Sequence, residues 1–379
     1  MIPFNKPSLT ELEKKYMLQA IESGKICGDG GFTKKVNEFF KKKFNVDNFM
    51  LTTSCSSALD MSAILLDLQK GDEVIVPSYT FVSTANSIVL RGATPVFCDV
   101  CKETMNIDPN KIEELITTKT KAIYVVHYAG HVCDMDKIMS IARSHDLYVV
   151  EDAAQAVGSL YNGKVAGTIG DMGCYSFHET KNYVMGEGGA LIINNPKFVE
   201  RAEIIREKGT DRSKFLRGQV DKYTWQDCGS SFLPSDILSA MLYAQLERFD
   251  EIFNKRMSVW NYYYQNLKIL EEQGLIELQG SKVENYQHNA HMFYILTKDI
   301  QERDKLTAYL KQCGISAVFH YVPLHNSPFA IKLLNNKIPK LPVTVEYSQR
   351  LLRLPMYADI SLNELEFVVN SIKTFYEVK

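Results

Sequence analysis

Cys174-Tyr-Ser-Phe-His-Glu-Thr-Lys181-Asn182, followed at once by Met185-Gly-Glu-Gly-Gly189, is the stretch whose reading decides the fold. Its first part, Gly173-Cys-Tyr-Ser-Phe177, reads as a buried strand, and the glycines after Lys181 permit close approach of backbone to a ligand. Upstream, the apolar run Leu147-Tyr-Val-Val150 ends in Glu151-Asp152-Ala-Ala-Gln155, which sets an acid at the end of a second strand pattern. A loop lysine and an acid that caps a helix are each ordinary by themselves. At the ends of two strand patterns they point to the rim of a parallel sheet.

Outward from this stretch, residues 50 to 195 alternate short β-branched runs with helical patterns. Strands are predicted over Glu73–Val76, Thr94–Cys98, Ala122–Val126, Leu147–Val150 and Ala190–Ile193. Between them, Met61, Ile64, Leu65 and Leu68 fall at i, i+3, i+4 and i+7 of one helix, and Asp134–Arg143 forms another. This alternation builds a mostly parallel sheet covered by helices on both faces, with ligands beyond the carboxyl ends of its strands. Asp152, Tyr79 and His127 each follow a strand pattern and so converge on that rim.

A long helical pattern from Ser235 to about Leu267 leads into a second unit. There the sequence predicts a strand over His291–Leu296, a helix over Arg303–Cys313 stopped by Gly314, a strand over Ile315–Phe319 and a closing helix. That helix opens with the capping box Ser361-x-x-Glu364 and carries Leu365, Val368, Val369, Ile372 and Phe375 on one face. The 379 residues thus divide into a large unit, 1–245, whose N-terminal segment is free to pack on its neighbour, and a smaller α/β unit, 246–379.

Composition excludes several function classes. With a net charge of -2 there is no electrostatic case for nucleic acid or an anionic membrane. No run reaches the roughly eighteen apolar residues of a membrane span, and the N-terminus lacks a signal-peptide pattern, so a cytoplasmic location is expected. Cys98-x-x-Cys101 has no second pair to complete a zinc site. His127-x-x-x-His131-x-Cys133 is broken by Gly130, and no metal is expected there.

The remaining segments complete the requirements of pyridoxal phosphate (PLP), which needs an amine for its aldehyde, a carboxylate against its ring nitrogen and donors for its phosphate. Lys181 supplies the amine and Asp152 the carboxylate, while Gln155 is placed to donate to the ring oxygen. Thr52-Thr-Ser-Cys-Ser-Ser57 opens the helix that contains Met61, where hydroxyls and free N–H groups suit a phosphate, and Ser176 adds a hydroxyl. Pro77-Ser-Tyr-Thr-Phe81 supplies an aromatic side chain for a flat ring. Plain N-capping and core packing are the alternatives for the serines and the aromatics.

The ordered set Ser54-Cys-Ser-Ser-Ala-Leu59, Pro77–Phe81, Glu151–Gln155, Ser176–Lys181 and Gly186-Glu-Gly-Gly189 resembles the DegT/DnrJ/EryC1/StrS family of sugar aminotransferases. The resemblance implies a PLP-dependent transferase of fold type I: a mainly parallel seven-stranded sheet flanked by helices, plus a smaller α/β C-terminal domain. It implies a homodimer with shared active sites. It makes Lys181 the covalent lysine and general base, Asp152 the ring-nitrogen partner, Gln155 the ring-oxygen partner and Phe81 the stacking residue, with Cys55, Ser56 and Ser176 on the phosphate. Relatives with a polar residue near Leu233 reach across the dimer; here Gly229-Ser-Ser-Phe-Leu-Pro234 leaves only Ser231 for that task.

Within the family, Arg206-Glu-Lys-Gly-Thr210 and Val318-Phe-His-Tyr-Val-Pro-Leu-His325 are similar to the branch that aminates dTDP-4-keto-6-deoxy-D-glucose at C4 with L-glutamate. The product, dTDP-4-amino-4,6-dideoxy-D-galactose, would serve bacterial surface polysaccharide. The same motifs would equally serve another nucleotide-linked ketosugar or the gluco epimer. Lysine rather than histidine at 181 favours transfer over deoxygenation. For the sugar nucleotide, His178 lies beside the lysine, and His320, Tyr321 and His325 follow the predicted 315–319 strand. Lys208, Arg212, Arg217 and Lys222, with Tyr223 and Trp225, would cradle a diphosphate and stack on thymine. Satisfied buried histidines and a solvated charged surface are the competing readings.

Overall fold

Seven strands form one sheet whose sequences are apolar enough to be covered on both faces. The structure, a computed structural model, describes residues 1–280 and 286–378. The strands are β1 (Phe49–Thr52), β2 (Glu73–Pro77), β3 (Thr94–Cys98), β4 (Thr120–Val126), β5 (Tyr148–Asp152), β6 (Met172–Ser176) and β7 (Gly189–Ile193). They pair in the order β1-β7-β6-β5-β4-β2-β3, and every neighbouring pair is parallel except those made by β7 with β6 and β1. Alternate residues divide the core: Ile75, Ile123, Val125 and Val149 pack on one sheet face, Val74, Val76, Tyr124 and Val150 on the other. Helix Gly31–Phe44 buries Phe32, Val36 and Phe40 along one stripe, and the Phe40 ring stacks on Phe49 of β1 at 4.0 Å.

The smaller unit has its own apolar core, in which Trp260, Tyr263, Leu267, Phe293, Leu310, Val368 and Ile372 pack with Ile2 from the far end of the chain. Its sheet joins β8 (Glu277–Leu278), β9 (Tyr294–Leu296) and β10 (Leu351–Arg353) in that order. Ile2 is held there by backbone hydrogen bonds to Gly314 and Ser316. The closing helix, Leu362–Phe375, has the expected capping box, with both Ser361–Glu364 bonds made. Phe249 and Ile252 pack in the large core while Val259 and later residues pack in the small one, so one helix, Phe249–Glu272, serves both.

Three expectations are corrected. The helical pattern from Ser235 is two helices, Asp236–Glu247 and Phe249–Glu272, because Arg248 leaves the helical region and its guanidinium turns to Ser8 and Glu251. The strand over His291–Leu296 shrinks to Tyr294–Leu296, since the carbonyls of Ala290 and His291 are taken by the buried Arg256. Ile315–Phe319 forms no strand: Ile2 reaches it at Ile315 and Arg353 at Val318, two isolated bridges on different neighbours rather than a ladder. Among the described residues no helix is long and apolar enough to cross a membrane.

Candidate active site

Parallel pairing gathers the strand ends. Asp152 lies opposite Cys174, and Ser176 and Thr52 both lie opposite Gly189, so the ends of β5, β6 and β1 form a continuous rim. Glycine is required at 189: a Cβ there would meet the backbone N of Cys55 and C of Ser54 at 2.4 Å. The start of helix Cys55–Leu65 is thereby seated on the rim. Ser54 Oγ accepts the N–H of Ser57 at 3.0 Å, which leaves the N–H groups of Cys55 and Ser56 with no partner inside the helix. Ser56 Oγ lies 2.6 Å from Ser83 Oγ and so ties this helix start to that of Val82–Val89.

Asp152 is buried. Its Oδ2 accepts from the Thr84 hydroxyl at 2.7 Å and its Oδ1 from the Ala154 N–H at 3.1 Å. Burial raises its pKa above the ordinary carboxylate value, partly countered by these bonds and by the Lys181 and His127 charges. Lys181 follows in the turn after β6, its N–H donating to His178 O at 2.9 Å. Burial lowers its amine pKa from the ordinary 10.5, and Cys55 and Asp152 oppose that shift. Amine, carboxylate and helix start are thus electrostatic neighbours on one rim.

Gln155 bridges the two units. Its Oε1 accepts from the N–H of Ala129 at 2.7 Å and its Nε2 donates to the Tyr321 hydroxyl at 3.0 Å. Tyr321 stacks on His320 at 3.6 Å, and His320 Nδ1 lies 2.7 Å from the Tyr128 hydroxyl. Phe81 is 57% exposed, 6.3 Å from the Tyr321 ring, leaving a face free for a flat ligand.

These residues fit PLP. The buried Asp152 carboxylate has one hydroxyl and one N–H for its two oxygens and lacks a bonded cation, which a protonated ring nitrogen would supply. The helix start offers unclaimed N–H groups to a phosphate, with Ser176 beside it.

The other expected contacts have partners within this chain. Lys208 and Arg212 both reach Glu207, at 3.4 and 2.6 Å, and Arg217 pairs with Glu203. Tyr223 packs edge-on against Phe215, and Trp225 donates to Asp227 O at 2.7 Å. Ser231 bridges Glu207. His178 contacts Thr180 and Glu187. His325 is buried against Ser78 at 2.6 Å, the satisfied-core arrangement. His127 pairs with Glu151 at 2.9 Å, whereas His131 turns to Tyr286 and Gln279; among the described residues no group of acids, histidines and cysteines could hold a metal.

Two features escaped the sequence reading. Asn182 donates to Asn289 O at 2.8 Å and, so oriented, accepts from His291 Nδ1 at 2.9 Å, clasping the lysine loop to the smaller unit. Burial lowers the pKa values of Lys181, His291 and His320, and the nearby guanidinium of Arg353 adds to each shift. Both arise from tertiary neighbours with no local pattern.

The DegT/DnrJ/EryC1/StrS aminotransferase family model matches residues 7–373. GDP-perosamine synthase of Escherichia coli O157:H7 is 31% identical over 379 residues, 100% of this chain and 99% of that protein. GDP-perosamine synthase of Caulobacter vibrioides is 34% identical over 333 residues, 85% of each chain. The solved structure of Spr1654 from Streptococcus pneumoniae in its PMP form is similar with a TM-score of 0.91 at 26% identity, over 100% of this chain and 99% of that one, and its PLP form gives 0.88. The chain belongs to the DegT/DnrJ/EryC1/StrS aminotransferase family and is a PLP-dependent sugar aminotransferase of fold type I.

Proposed function

We propose that the chain moves the amino group of L-glutamate to C4 of a nucleotide-linked 4-keto-6-deoxy sugar in the cytoplasm. The substrate in this reading is dTDP-4-keto-6-deoxy-D-glucose and the product dTDP-4-amino-4,6-dideoxy-D-galactose. The observation that carries the reading is the placement of the Lys181 amine and the buried Asp152 carboxylate, each influencing the other's charge, at adjoining strand ends. The similarity of residues 206–210 and 318–325 to the dTDP branch supports the nucleotide.

When bound, PLP supplies a carbonyl that takes up the donor nitrogen and a protonated ring that accepts the electrons of a breaking C–H bond. Lys181 would hold it covalently at rest. Its lowered pKa means that a larger share of the amine is unprotonated near neutral pH, so, once freed, it can take a proton from the donor carbon and return it. Asp152 would hold the ring-nitrogen proton, with Thr84 fixing the carboxylate's orientation. Gln155 would donate to the ring oxygen from a position set by Ala129. Cys55, Ser56 and Ser176 would hold the phosphate, and Phe81 would cover the ring. His178, His320, Tyr321 and the basic stretch around Lys208 and Arg212 are left for the sugar nucleotide. A homodimer completes the site in this reading; the exposed Val82, Leu90 and Trp225 supply apolar surface for it.

A second reading, favoured by the relatives named GDP-perosamine synthase, keeps the chemistry and changes the nucleotide to GDP. One experiment separates them. The holoenzyme is given glutamate with dTDP-4-keto-6-deoxy-D-glucose or with the GDP-linked ketosugar that would yield GDP-perosamine, and the product is identified by NMR. A 4-amino galacto product from the dTDP sugar is expected; an amino sugar from the GDP substrate alone would replace it with the second reading.

A further inference from the structure

One short stretch, Phe81–Thr84, serves the ring face, the acid and the helix start of the rim. Phe81 leaves an exposed ring, Thr84 donates to Asp152 Oδ2 at 2.7 Å, and between them Ser83 Oγ lies 2.6 Å from Ser56 Oγ. The two serines are 27 residues apart and sit in the first turns of different helices, Cys55–Leu65 and Val82–Val89. The other hydroxyls around Ser56 are paired with one another: Thr53 Oγ1 and Ser54 Oγ lie 2.8 and 3.0 Å from Ser57 Oγ. Among the described residues, Ser83 is the hydroxyl partner of Ser56.

A hydroxyl has one proton and two lone pairs, so in the protein alone the Ser56–Ser83 bond can run in either direction. A phosphate closes that choice. Its oxygens carry nearly two negative charges at neutral pH and accept hydrogen bonds. When Ser56 gives its one proton to a phosphate oxygen, the proton between the two serines has to come from Ser83. The bonds then run from Ser83 to Ser56 to phosphate, and each polarises the next. The reverse direction would turn the Ser56 lone pairs toward the anion.

We propose that Ser83 is a positioning residue of the phosphate seat, donating to Ser56 so that the Ser56 hydroxyl is aimed at the cofactor phosphate. It acts through Ser56 and needs no contact of its own with the phosphate. Helix Val82–Val89 thereby serves both ends of the cofactor, the ring nitrogen through Thr84 and Asp152 and the phosphate through Ser83 and Ser56. The inference rests on the assignment of Ser56 to the phosphate made above.

The test frees the full chain of cofactor and measures equilibrium binding of PLP and of pyridoxal, which has the same aldehyde, ring nitrogen and ring oxygen but no phosphate. Ser83→Ala is expected to weaken PLP binding about 3- to 10-fold, the range for one neutral hydrogen bond, and to leave pyridoxal binding unchanged. Ser83→Thr keeps the hydroxyl and should recover most of the loss. Because Ser83 acts through Ser56, the double variant Ser56→Ala with Ser83→Ala should bind PLP no more weakly than Ser56→Ala alone. Additive losses, an unchanged PLP affinity in Ser83→Ala, or an equal loss for pyridoxal would each overturn the inference while Ser56 keeps its place on the phosphate. If Ser56→Ala itself binds PLP as tightly as the wild type, that assignment falls and this one with it.

Discussion

The Thr84 hydroxyl donates to Asp152 Oδ2 at 2.7 Å, the shorter of the two hydrogen bonds that this buried carboxylate accepts. Burial raises the Asp152 pKa from its ordinary 3.8 despite them. A group whose folded pKa is raised binds more protons folded than unfolded, so the apoprotein loses stability as pH climbs from 3.8 through the folded value. Asp152→Asn should therefore raise the apoprotein Tm at about pH 8 by roughly 1–2 °C while cutting turnover on the order of 10²- to 10³-fold. Parallel apo and holo melts check both halves, and a lowered apo Tm would contradict the account.

Lys181 carries the opposite shift. Because burial holds its amine below 10.5, the rate at which the apoprotein captures PLP should rise with pH and level off before an ordinary lysine would titrate. Stopped-flow absorbance across the pH range measures this. A rate still climbing through pH 10.5 would show that the amine is not desolvated.

Gly189→Ala should act on the phosphate end of the site. The new Cβ would overlap the start of helix Cys55–Leu65, so about 1–3 kcal/mol of stability should be lost, with weaker PLP binding than that loss alone explains. Denaturant melts and PLP titration read the two effects separately.

Asn182→Ala should leave the Asn289 carbonyl and His291 Nδ1 unpaired in a buried place, at about 1–3 kcal/mol. Since the clasp holds the lysine loop to the smaller unit, kcat should fall with little change in the KM for glutamate. A large change in KM alone would argue that Asn182 lines the donor site instead.

Much of this molecule was legible in its sequence because its signals are local. The runs of β2 to β5 and of β7 carry β-branched residues and are bounded by polar turns, and β3 lies at the predicted residues, Thr94–Cys98. The four residues of β1 are too few to display a period and are defined by pairing with β7. Lys181, Asp152 and Gln155 stood out because parallel topology carries strand ends to one rim whatever the side chains. The Ile315–Phe319 strand misled because its alternation reflects two separate neighbours. Lys208 and Arg212 drew notice as charge, yet a single buried acid, Glu207, takes both. Arg353 acquires its character from Phe4, a residue nearly the whole chain away, and sequence spacing carries no trace of such a contact.

The most direct test of the central claim is to reduce the holoenzyme with borohydride and map the resulting pyridoxyl group by peptide mass spectrometry. The account predicts a single labelled peptide containing Lys181, and no label in Lys181→Ala. A pyridoxyl group on another lysine, or labelling that survives in Lys181→Ala, would contradict it.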